Sequence, residues 1–165
     1  MPDCIPVRIA KAVAAEINIA VEAENLSQQF TAVFSFGSEI TEFQDLNDDT
    51  LTIDVCPTSD QQFTLYGASA YKHAVLVAVG IRRRIAPTDR TDAGDVDSDA
   101  ITSYANLLYE ICTMFAAGRN LSGEPLTAWN PSVPPTIKLY DPDKLKDGLY
   151  FGWIHLPFVF HERAT

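Results

Sequence analysis

Asp95, Asp97 and Asp99 are spaced like the opening carboxylates of an EF-hand calcium loop. Such a loop also needs glycine at its sixth position and glutamate at its twelfth, where this chain has Ala100 and Asn106. A capped helix start explains the aspartates with fewer assumptions. The histidines are His73, His155 and His161. His155 and His161 share strand parity, but the strand between them separates them by about 20 Å, too far for one metal to bridge. His73 would have to arrive from another strand. None of Cys4, Cys56 and Cys112 has a C-x-x-C partner. Cys112 falls on an apolar helical stripe, where a thiol behaves as a small hydrophobe. A nucleophilic triad needs a Ser or Cys beside a His that an acid orients. The chain has no G-x-S-x-G, no G-x-x-x-x-G-K-[ST] and no G-x-G-x-x-G. The sequence therefore predicts no catalytic residue, no metal and no cofactor: not an enzyme.

The basic cluster is Arg82, Arg83 and Arg84, with Arg90 nearby. On a strand the middle arginine faces away from its neighbours, so the three do not form one patch. Two readings stay open: a solvated strand end, or ion pairing of Arg82 and Arg84 with an acidic surface on a neighbouring subunit. The C-terminal aromatics Tyr150, Phe151, Trp153, Phe158 and Phe160 occupy both parities of one strand. They belong either to the core alone or also to a face covered by a second copy. Phe63, Leu65 and Tyr66 raise the same question and are candidate subunit or partner contacts.

Elements that must position these groups fit in one domain spanning the 165 residues. Hydrophobic residues make up 47% and charged residues 21%, which excludes a disordered chain. No apolar run reaches the roughly 18 residues a membrane span needs. The start, MPDCIPVRIAK, lacks a basic segment followed by an apolar one, so no secretory leader is expected. An odd cysteine count suits a reducing compartment. With 12 Lys+Arg against 22 Asp+Glu the net charge is −10, which repels phosphates and argues against sequence-specific DNA binding. It still permits a passive wall past which DNA slides.

Helix periodicity over residues 5–23 places Ile9, Val13, Ile17 and Val21 on one face. Residues 30–36 alternate as a strand, residues 39–50 read as an acidic loop, and 51–55 form a strand stopped by Pro57. Residues 58–70 read either as a strand extension or as a long loop. Residues 71–85 form a long strand with Val75, Val77, Val79 and Ile81 on one face, and 86–99 a solvated linker. A second helix over about 99–117 starts at a cap on Asp97 or Ser98 and ends at Gly118. A proline-rich loop at 119–135, a strand at 136–140, the turn DPDKLKDG and a last strand at 150–161 complete the chain. The order predicts an α+β fold: a mostly antiparallel sheet of about four to five strands packed against two main helices.

Read in order, these segments are IPVRIAKAVAAEIN, FTAVFSF, LNDDTLTIDVCP, YKHAVLVAVGIRRRI, ITSYANLLYEICTMFAAGRNL and YFGWIHLPFVFHER. In that order the chain resembles, from residue 5 to 162, the tail-terminator (tail-completion) proteins of long-tailed bacteriophages. The resemblance implies a structural virion protein that assembles as a ring, usually a homo-hexamer, in the bacterial cytoplasm. The ring caps the head-proximal end of the tail tube, stops its polymerisation and meets the neck proteins of the head–tail connector. DNA crosses its lumen without sequence-specific binding, and no membrane is involved. An acidic lumen or rim drawn from Asp45, Asp48 and Asp49, or from Asp92, Asp95 and Asp97, would keep that passage slippery. The alternatives are another neck ring, such as a head-completion or stopper protein, or a small α+β hydrolase or binding domain using His73 or His155.

Overall fold

Apolar residues returning every three or four positions form the first helix, α1 (Ile5–Glu22), whose Pro6 sits in the first turn, where a missing N–H costs nothing. A computed structural model describes residues 3–35, 51–59, 61–65 and 70–163. Seven strands follow α1: β1 (Thr31–Phe34), β2 (Thr52–Pro57), β3 (Gln62–Leu65), β4 (Ala70–Arg84), β5 (Thr127–Trp129), β6 (Thr136–Lys138) and β7 (Leu149–Arg163). Two further helices are α2 (Ser98–Ala116) and α3 (Pro142–Lys146). The fold is α+β, as expected. No described helix is long and apolar enough to cross a membrane.

β4 and β7 pair antiparallel along their whole length, from Ala70 opposite Arg163 to Arg84 opposite Leu149. β2 lies antiparallel to β4 on its other side, and β1 pairs parallel with β2. β2 and β4 are thus neighbours in the sheet. β3 shares β4's edge with β2, while β5 and β6 share the outer edge of β7.

Strand parity decides which side chains meet the helices. Ile53 and Val55, Val75, Val77, Val79 and Ile81, and Ile154, Leu156 and Phe158 form one face and join α1 and α2 in a single buried cluster. Each such side chain contributes about 1.5–3 kcal/mol by leaving water. α2 delivers Tyr104, Leu107, Leu108, Ile111, Cys112 and Phe115 to that cluster. Asp97 caps it by accepting from Asp99 N at 2.8 Å, and Gly118, at φ +88°, follows its C-terminus. Two ion pairs tie α1 to the chain after α2. Arg8 donates to both oxygens of Glu124 at 2.9 and 2.7 Å. Buried Glu16 accepts from Arg119 Nε at 2.8 Å and from Ser122.

The open segment at 58–70 contains a strand, β3, joined to β2 by a short loop. Gln61 makes that loop possible: its amide accepts from Leu76 N and donates to Leu76 O, both at 3.1 Å, imitating a strand residue. The proline-rich region expected as loop holds β5, three residues between Pro125 and Pro131 that pair with Phe158–Phe160 of β7. The expected turn DPDKLKDG contains α3, capped by Asp141, which accepts from Asp143 N and Lys144 N. Residues 86–98 are less of a free linker than their composition suggested. An Arg90–Val96 bridge and an Arg90 Nη1 bond to Gly94 O at 2.9 Å brace them.

Candidate functional site: the second face of the sheet

The opposite parity builds a second face. Register across β2, β4 and β7 sets Thr52, Arg82 and Phe151 in one row, Asp54, Gly80 and Trp153 in the next, and Cys56, Ala78 and His155 in a third. β6 extends two of these rows with Lys138 beside Trp153 and Thr136 beside His155. In the middle strand two of the three positions are Gly80 and Ala78, so larger groups on β2 and β7 stand around a depression. A cavity of about 170 Å³ results, and its described lining comes from β2, β4 and β7 alone.

An ion pair lies in its wall. Arg82 and Asp54 are each only 7% exposed, and Arg82 Nη2 contacts Asp54 Oδ2. The other two guanidinium nitrogens, Nε and Nη1, are buried and lack an acceptor among the described residues. Burial pushes the Asp54 carboxyl above the usual aspartate range, outweighing the attraction and hydrogen bond of Arg82, which pull it down. Burial, helped by the Asp54 charge, also holds the Cys56 thiol up. The His155 imidazole is pushed down by burial and is neutral at neutral pH. Its ring stacks on Trp153, with centroids 4.3 Å apart and planes 26° from parallel. The stacked rings give the cavity a flat aromatic wall.

The three arginines diverge, as strand parity predicted. Arg82 turns to Asp54 of its own chain. Arg84 is exposed at the strand end. Arg83 lies over the Tyr104 ring at 5.5 Å, with its Nε 3.7 Å from Asp89. Arg82's charge is therefore met within the chain. Phe63 and Leu65 sit in β3, in register with His73 and Tyr71 of β4. Tyr66, Asp45, Asp48 and Asp49 lie outside the described residues. Asp92 and Asp95 are exposed in the braced loop, and Asp97 is committed to the α2 cap. His73 pairs with Glu162 at 3.2 Å and meets the edge of Phe160, while His161 is exposed. Of these candidates, Arg82 is in the described lining of the cavity.

Asp54, Gly80 and Cys56 were not expected at a site. Alternation alone puts Asp54 and Cys56 on one face of β2 and Phe151, Trp153 and His155 on one face of β7. Only the register of both strands against β4 makes them neighbours, and no local residue pattern encodes that register. One local signal was present: a Gly and an Ala on one parity of a strand whose other parity is β-branched, which marks close approach or free space. Compared with models of known protein families and with curated protein sequences, the chain matches none.

Proposed function

We propose that this protein is a ring-forming subunit of the neck of a long-tailed bacteriophage, a tail terminator that ends tube growth and joins tail to head. The order of elements supports this reading, and one structural observation carries it. Among the residues whose burial is described, the cluster runs to Val75 on β4 and Phe160 on β7; both strands continue, and β3 pairs with β4 beyond that point. Three strands are thus paired beyond the described cluster, and β3 among them carries Phe63 and Leu65, the candidate subunit or partner contacts. Paired strands that reach past the described cluster are suited to meeting a neighbour. The surplus of acidic side chains, with Asp92 and Asp95 exposed, fits a lumen past which DNA slides without sticking.

Native mass spectrometry of the purified chain, alone and with purified tail tubes, tests this. A species near six times 18.2 kDa, or tube ends capped by the protein, is the expected result. A chain that stays monomeric and leaves tubes uncapped overturns the proposal, and a ring with a basic lumen overturns its account of DNA passage.

A further inference from the structure

The chain has a net charge of −10, yet α2, 19 residues long, holds no Lys or Arg and only two acidic groups, Asp99 and Glu110. Glu110 is turned to its own chain, where it accepts from Ser27 N at 2.9 Å. Thr102, Asn106, Tyr109, Thr113 and Ala116 are all exposed and follow one another at intervals of four, three, four and three residues. Those intervals make a single straight stripe, the spacing of a helix–helix seam, and its small side chains allow close approach. A helix face that meets only water ordinarily carries charge, whereas an uncharged surface around an aromatic residue is the composition of an interface centre. Tyr109 is 54% exposed and stands in the wall of a shallow groove of about 550 Å³. Asn106, Thr113 and Met114 line that groove together with Asn25 and Leu26, which follow α1. A knob and a hole thus lie on one patch, which is what a two-fold contact between identical chains requires. Charge sets the direction. Asp99 opens the helix on the same stripe, and Arg119, one quarter exposed, follows its last turn. Antiparallel pairing brings these unlike charges towards each other at both ends, while parallel pairing would set Asp99 against Asp99.

We propose that the α2 stripe docks a second copy of this chain, the two helices running antiparallel about Tyr109 and each Tyr109 seated in the groove of the other copy. In that register Asn106 of one copy lies opposite Thr113 of the other. The contact is independent of the ring reading, since it needs only the folded chain. Being two-fold, it doubles whatever forms, one copy to two or one ring to two. A single helix pair is at the small end of interfaces, so the doubling is reversible and depends on concentration.

Sedimentation equilibrium of the full chain, from about 10 μM to about 1 mM, is the test. The mass is expected to rise from 18.2 kDa, or from that of a ring, to twice the value. Tyr109→Ala removes the knob from both sides and weakens pairing about tenfold or more, with the fold intact because the residue is exposed. Charge substitutions read the register. Thr113→Glu alone weakens pairing, and adding Asn106→Lys restores it, because the two new charges meet across the seam. Adding Asn106→Glu instead does not. A mass that never doubles overturns the proposal. So does a doubling that survives Tyr109→Ala, or one lost to Thr113→Glu that Asn106→Lys fails to rescue. Rings of six copies that never double overturn this contact and leave the ring reading standing.

Discussion

The buried Asp54–Arg82 pair makes a prediction in which two harmful substitutions cancel. Removing one partner of a buried ion pair leaves an uncompensated charge and costs about 3–5 kcal/mol, out of a typical total of about 5–15. At 7% exposure neither group can turn to water for relief, so Arg82→Met and Asp54→Asn each belong in that range. In urea, with m about 2 kcal/mol/M, the midpoint falls by about 1.5–2.5 M. Replacing both, as Asp54→Leu with Arg82→Met, removes the charges together with their desolvation cost. Two of the guanidinium's nitrogens are already unsatisfied, so the pair repays its burial poorly. The double variant should unfold at or above the wild-type midpoint, by about 0–4 kcal/mol.

Acid separates the two single variants. Without Arg82 the Asp54 carboxyl, already raised by burial, rises further. A carboxyl whose folded pKa exceeds its unfolded value favours the fold more as pH falls, so the Arg82→Met loss shrinks between about pH 7 and pH 5. Asp54→Asn leaves a guanidinium that stays charged, while the wild-type carboxyl itself gains on acidification. That loss does not shrink. Urea titrations of the four proteins at both pH values supply the cycle. A double variant as unstable as its worse parent, or parallel pH behaviour of the two singles, refutes the reasoning.

Two further outcomes concern the frame around this face. Glu16→Ala strips the acceptor from Arg119 and Ser122, and because Arg119 is one quarter exposed the cost is about 2–3 kcal/mol in urea unfolding. Burial works against the Glu16 charge, but hydrogen bonds from Ser122 and Arg119 prevail and hold its pKa below the usual glutamate value. The gap from wild type is therefore full near neutrality and narrows as acid protonates the carboxylate. Gly152→Ala would place a Cβ 2.6 Å from Leu139 O and 2.8 Å from Tyr150 Oη, an overpacking with backbone on one side. About 3 kcal/mol is expected, read as a melting temperature lower by about 6–12 °C.

Both long helices were legible because their burial depends on a period written in consecutive residues: the expected boundaries, 5–23 and 99–117, fall within one residue of α1 and α2. β4 was legible for the same reason, its Val75–Val77–Val79–Ile81 face being buried throughout. β3 and β5 were not, since four and three residues carry too little periodicity and each exists through pairing with a long strand that supplies the ladder. Gln61 shows the limit most clearly. A glutamine in a polar stretch reads as surface, yet its side chain completes the backbone bonding of Leu76, a partner known only from the fold. The candidate site failed to appear for a related reason. Asp54 sits in a strand whose apolar residues announce the other face, and its meaning depends on Arg82 lying one strand away.

Edge accessibility limits how copies of this chain could associate. On β1, the outer edge of the sheet, Asn18 of α1 donates to Ala32 O at 2.9 Å and accepts from Ala32 N at 2.8 Å. Those backbone groups are what an added strand would use, so α1 occupies the edge that would otherwise invite one. At the opposite side β7 is covered by β5 and β6, three residues each, and short edge strands template poorly. Neither edge offers the long ladder that strand addition needs. If the chain closes into a ring, these two edges direct its contacts elsewhere, first to the arm of β3, β4 and β7. Ring formation would then show as new protection at those surfaces, without a strand being added at β1. It follows that Asn18→Ala, which uncovers the Ala32 groups, should favour irregular edge-to-edge aggregation over ordered rings.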